Sequence, residues 1–157
     1  MKKSIFLAAL VLMSAGCFAQ KANVSKARGL ADAETPDYAG ARAAIAEALQ
    51  NEETKEQANT WYVAGFIGYK EFETANLNRQ IGRNIDFDQW GAAVYESVGY
   101  WDKAYELAMI PTYDKKGRAK YDTRTPKNIL PKLQEYFMYQ PMIIAGFNAY
   151  EANNPSL

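Results

Sequence analysis

An all-α fold is predicted, and three observations predict it. Apolar residues recur at three- and four-residue steps through five segments, the period of one face of an α-helix. No segment sustains the two-residue alternation of a half-buried strand. Gly and Ala recur among Trp, Tyr and Phe, as they do where one helix must approach another closely and large rings fill the space alongside.

The first segment, 22–34, carries Val24, Ala27 and Ala31 on one stripe with Leu30 beside it. Thr35-Pro36 then ends it and opens the next. Thr is a good N-cap, and Pro fits the first helical position, where its missing N–H would be unpaired anyway. The second segment, 36–50, places Tyr38, Ala41, Ile45, Ala48 and Leu49 on one face. In the third, 53–77, the recurring positions are Ala58, Trp61, Tyr62, Gly65, Gly68, Tyr69 and Phe72. The fourth starts near Asp86, which has the spacing of a capping box with Gln89. It carries Trp90, Val94, Val98, Trp101, Ala104, Tyr105 and Ala108, and Pro111 closes it. Between Pro111 and Pro126, Asp114-Lys115-Lys116-Gly117 is turn chemistry flanked by Tyr113 and Tyr121, which fits a loop or small hairpin inserted near 111–126. The fifth segment, 126–152, carries Ile129, Leu133, Phe137, Ile144, Phe147 and Tyr150. Pro141 predicts a kink or break near Gln140, because an interior Pro costs a helix about 3 kcal/mol.

The first nineteen residues read as an address. Lys2 and Lys3 precede a largely apolar stretch over 5–13, then Ser14, Ala15 and Gly16, which is the three-part pattern of a secretory signal. Cleavage after Ala19 leaves a soluble product. Cleavage before Cys17 would resemble a lipoprotein box, but Ser14 stands where Leu is usual, so the soluble product is favoured. The domains are then a signal peptide over 1–19 and a helical repeat domain over 20–157, exported to the periplasm or beyond. The mature chain holds 16 Lys and Arg against 18 Asp and Glu and lacks the single cysteine, so its core holds without a disulfide.

Several function classes fall away. No run of 18 apolar residues exists, so no transmembrane helix is expected. The 18 basic and 18 acidic residues of the whole chain cancel, which removes a general electrostatic reason to bind nucleic acid. With no His, Ser-His-Asp and Cys-His chemistry and His-based metal sites are excluded. No cofactor is implied. Gly65-x-x-Gly68 follows no strand and has no Lys-Ser/Thr, so it is no phosphate loop.

Repetition is the most informative feature. Ala64-Gly65-Phe66-Ile67-Gly68-Tyr69 recurs as Ala145-Gly146-Phe147-Asn148-Ala149-Tyr150, with Ala-Gly-Phe-x-x-Tyr identical in both, and two helix-pair repeats would account for the spacing. Trp61, Ala64, Gly65 and Tyr69 resemble the first helix of a tetratricopeptide repeat, with the last aromatic displaced by one position. Ala41, Ile45 and Ala48 resemble the second helix, as do Ala104 and Ala108 in part; Glu53 lies near where the usual Pro would be. The chain is similar to secreted bacterial proteins of that family with irregular repeats. The resemblance implies tandem antiparallel hairpins in a right-handed superhelix, no chemistry, and a concave face for an extended peptide or partner helix.

Among charged residues, Glu52, Glu53, Glu56, Glu71, Glu73, Asp86 and Asp88 read as caps and solvated faces. Lys115, Lys116, Arg118, Lys120, Arg124, Lys127 and Lys132 outweigh Asp114 and Asp122; a solvated loop is the simpler reading and an anionic-surface contact the sharper one. Trp61, Tyr62, Trp90, Tyr95, Tyr100 and Trp101 are the candidate partner-binding residues, since Tyr and Trp dominate interface hot spots. Adjacent pairs diverge by about 100° on a helix, so one of Trp61/Tyr62 and one of Tyr100/Trp101 should be buried and the other partly exposed. The expected function is a non-enzymatic protein-interaction scaffold of the bacterial envelope with a protein or peptide partner. The alternative is a carbohydrate-binding helical lipoprotein module. At the C-terminus the pattern stops within a repeat, which implies either a truncated frame or an apolar end face for self-association.

Overall fold

The computed structural model describes residues 21–140 together with 143, 144, 148 and 152. The signal expected over 1–19, Pro141, and the second Ala-Gly-Phe-x-x-Tyr motif apart from the helical Asn148 lie outside the described residues. The described chain is mostly helical. Helix α1 covers 21–31, α2 Tyr38–Gln50, α3 Ala58–Gln80, α4 Phe87–Ala108 and α5 Arg124–Met138; two-residue strands β1 (Thr112–Tyr113) and β2 (Ala119–Lys120) lie between α4 and α5. No described helix is long and apolar enough to cross a membrane.

Local chemistry sets the boundaries, and in places it overrides the apolar spacing. α2 begins at Tyr38, not Pro36, because the Asp37 carboxylate accepts the Gly40 N–H at 2.8 Å and is the N-cap. α3 begins at Ala58, not near Glu53. The intervening turns fold back onto α2 through buried Thr54, whose hydroxyl donates to the Ala48 carbonyl at 2.6 Å. At the far end of α3, Gly82 takes φ 77°, with its N–H on the Arg79 carbonyl and the Arg83 N–H on the Asn78 carbonyl. That paired cap requires a left-handed residue after the helix. Asp86 caps α4 as expected, accepting from the Asp88 and Gln89 N–H groups, but the Gln89 side chain reaches Glu71 at 2.6 Å instead of returning to the cap.

The insertion is a hairpin. Thr112 pairs with Lys120 and Tyr113 with Ala119, and Gly117 at φ 72° makes the turn. Asp114 fixes it by accepting from the Lys116 and Arg118 N–H groups and the Arg118 guanidinium. α5 starts two residues before Pro126, because the Asp122 carboxylate accepts the Arg124 and Thr125 N–H groups. It ends at Met138 with Tyr139 as C-cap, one residue before the break expected at Gln140.

The core lies between α3 and α4, which run antiparallel and in close contact. A Cβ added at Gly65 would lie 2.5 Å from the Trp101 ring and 2.7 Å from the Ser97 carbonyl oxygen; one at Gly68 would lie 2.4 Å from the Ala93 carbonyl oxygen. The small positions expected at a helix crossing therefore do mark one. Phe72 stacks on Trp90 at 5.3 Å. α5 runs parallel to α3, with Tyr136 against Tyr69 and Tyr139 against Phe72. The Tyr136 and Ser97 hydroxyls are 2.7 Å apart and tie α5 to α4. α1 and α2 add buried Val24, Ala27, Ala31, Ala41, Ile45 and Ala48 to this core.

Glu71 departs from its expected solvated face. It is buried, and it accepts from Arg42 of α2 at 2.6 Å and from Gln89 of α4. Arg42 also bonds Glu96 of α4, so one guanidinium ties three helices. Burial lowers the Arg42 pKa, but the hydrogen bonds it donates to Glu96 and Glu71 more than offset it and hold the side chain charged.

Candidate partner-binding groove

The six aromatic candidates sit on the neighbouring helices α3 and α4, and three of them build the core. Trp90 and Trp101 are 1% and 2% exposed, and Tyr62 is buried with its carbonyl accepting the Trp101 indole N–H at 3.2 Å. Trp90 and Trp101 cannot reach a partner while the helices stay packed. Trp61 and Tyr100 are half-buried with ring centroids 6.0 Å apart, and the Trp61 indole N–H donates to the Lys55 carbonyl. Each adjacent pair thus divides into a buried and a partly exposed ring. Tyr95 is exposed beside the Arg42–Glu71–Glu96 network.

A different set converges on a cleft of about 350 Å³ formed by alternate helices α1, α3 and α5. Its floor is Tyr62, Phe66 and Tyr69 of α3, one stripe at i, i+4 and i+7. α1 contributes Arg28, Asp32 follows directly on its end, and α5 contributes Asn128 and Lys132; Lys70 and Glu73 of α3 complete the walls. The Arg28 guanidinium lies 5.4 Å from the Phe66 ring centroid, and the Lys132 ammonium lies 5.0 Å from that of Tyr69, both within cation–π range.

The charges in this groove divide into committed and available. Lys70 bridges Asp32 at 3.2 Å and Glu73 at 2.8 Å. The Tyr69 hydroxyl donates toward both Glu73 and Glu135. Burial first, and then these carboxylates, push the Tyr69 pKa well above the ordinary phenol range, so it stays a neutral donor. Neither Arg28 nor Lys132 forms a salt bridge among the described residues. Lys132 is held below the ordinary lysine value, mainly by burial and further by Arg28 and Lys70, against the opposing pull of Glu73 and Glu135. A negative group entering the groove would relieve that penalty.

A second pocket, about 280 Å³, lies between α3 and the start of α4 and is bordered by Tyr38, Thr74, Asn84 and Trp90. The Tyr38 hydroxyl is already engaged by the Lys70 carbonyl and Thr74. No group of three or more acidic or Cys side chains suited to a metal ion is present among the described residues.

Phe66 and Arg28 were not singled out from the sequence as binding residues, and Lys132 entered only as the last member of the basic run over 115–132. Their signal was faint: Arg28-Asp32, Phe66-Tyr69-Glu73 and Asn128-Lys132-Glu135 are helical stripes, but only the packing shows that they share one cleft. Comparison with protein-family models, with curated proteins and with solved structures gives no match.

Proposed function

We propose that the chain is a non-enzymatic interaction scaffold of the bacterial envelope, built from tetratricopeptide-like hairpins, whose α1–α3–α5 groove takes an extended segment of a protein partner. Export follows from the N-terminal signal, with cleavage after Ala19 and no lipid on Cys17. In this reading α1/α2 and α3/α4 are successive hairpins and α5 opens the next, giving the right-handed superhelix that the repeats imply. The observation that supports the reading best is the groove itself. Alternate helices line it, its floor is aromatic, and two cations stand over that floor without a salt bridge among the described residues. An acidic side chain on the partner suits Arg28 and Lys132, and the aromatic floor suits the apolar part of its backbone and neighbours.

Site-specific photo-crosslinking in the native envelope tests this. A crosslinker at Asn128 should trap one partner protein, whereas one at exposed Ala46 on α2 should not. The pair Arg28→Glu and Lys132→Glu should cut the yield at least tenfold, the loss of two charge-assisted contacts. Silence at Asn128, with the chain retained instead on a glycan through Trp61 and Tyr100, would replace the scaffold by the carbohydrate-binding reading.

A further inference from the structure

The β1–β2 hairpin stands away from the helical body. Neither strand packs closely on a helix among the described residues, and every residue over 115–121 is exposed. A lone two-stranded hairpin has little stability of its own in water, and this one is held by its Asp114 turn. It shows large apolar side chains to solvent: Ile110 is 59% exposed, Tyr113 69% and Tyr121 54%. Its cations are free while its acids are not. Lys115, Lys116, Lys120 and Lys127 form no salt bridge among the described residues. Asp114 is closed on the Arg118 guanidinium at 2.8 Å, and Asp122 on the N–H groups that open α5. Residues 102–127, with Asp102 and Glu106 of α4 included, hold seven Lys and Arg against four acids, and Glu106 is itself paired with Lys103 at 2.8 Å. The rest of the chain from Gln20 onward holds nine against fourteen. The molecule is therefore polarised, positive at the hairpin and negative elsewhere.

We infer that the hairpin is a docking element for the surface of an anionic phospholipid bilayer. Shape and chemistry select that occupant. No hairpin residue lines the clefts described above, so the element offers an exposed tip and no groove for a peptide or partner helix. Strands of two residues give too short an edge to accept a partner strand. Tyrosine settles at headgroup level, where its ring is apolar and its hydroxyl wet. Lysine lays its stem along apolar surface while its ammonium meets the phosphates. Each basic residue near an anionic leaflet raises partitioning about fivefold, an effect confined to a Debye length and screened by salt. The net-negative body is repelled by the same surface, so the molecule meets it hairpin first. The contact uses no groove residue and stands independently of the scaffold reading.

Flotation of the mature chain with lipid vesicles is the test; the mature form is used because the apolar 5–13 stretch would itself enter lipid. Binding is expected to vesicles of phosphatidylcholine with phosphatidylglycerol, weakened by salt, and not to phosphatidylcholine alone. Lys116→Glu with Lys120→Glu should lower partitioning at least tenfold, with the helical circular dichroism unchanged. Tyr113→Ser with Tyr121→Ser should lower it as well. The mature chain has no cysteine, so a polarity-sensitive dye at Ala119→Cys reports contact even if those variants fail to fold. Its emission should shift to the blue on the anionic vesicles, whereas the same dye at Ala46→Cys on α2 should not respond. No binding, equal binding to both vesicle types, or binding that the charge variants leave intact overturns the inference. A chain that ignores the vesicles but is retained on polyglutamate overturns it too, in favour of an acidic polypeptide.

Discussion

Gly68 meets the carbonyl of Ala93 where α3 and α4 cross, and no side chain fits between them. A methyl group there would sit 2.4 Å from a backbone oxygen that α4 holds in place. Gly68→Ala is expected to lower stability by about 2–3 kcal/mol, the cost of overpacking a rigid site. Gly99 on α4 has nothing within 4 Å of the same added atom, so Gly99→Ala should raise stability by about 0.5–1 kcal/mol through helix propensity alone. Urea midpoints of the two variants check the contrast. Gly68 was legible in the sequence because its neighbours Trp61, Tyr62, Tyr69 and Phe72 share its three- and four-residue steps. The buried state of Glu71 was not, since a lone carboxylate in a helix gives no sign of the Arg42 that meets it across 29 positions.

Helix α5 shows how an element can be placed correctly while its uses stay hidden. Its existence and its early start follow from apolar spacing and the Asp122–Thr125 cap. Which flank faces which neighbour depends on the helices it meets, and neither α1 nor α4 is near it in sequence. Lys132 reports that docking. Its folded-state pKa lies below the ordinary 10.5, because burial disfavours the charge. Between the folded value and 10.5 the unfolded chain binds a proton that the folded chain has released, so stability rises with pH across that window. The penalty is fully present at lower pH. Lys132→Met should therefore be no less stable than the parent at pH 7 and should lack that rise, as parallel denaturation curves from pH 7 to 10 would show; coincident pH dependences would refute it.

The whole molecule is organised around one helix pair. α3 and α4 supply Phe72, Trp90 and Trp101, the largest fully buried side chains, and each remaining helix docks on them by a separable device. α2 uses Arg42 on Glu71 and Glu96, α1 is tied by Asp32, just after its end, on Lys70, and α5 uses Tyr136 on Ser97. The groove exists because α1 and α5 settle on the same side of α3. Helical content and the close crossing were legible in the sequence, since both depend on local spacing. The cleft was not, because it depends on which stripes meet after packing. Native-state hydrogen exchange on the whole chain tests this hierarchy most directly. The slowest amides should lie in α3 over 62–72 and in α4 over 93–104 and should open together, with α1 and α5 opening at lower free energy. Slowest exchange in α1 or α5, or separate opening of α3 and α4, would contradict it.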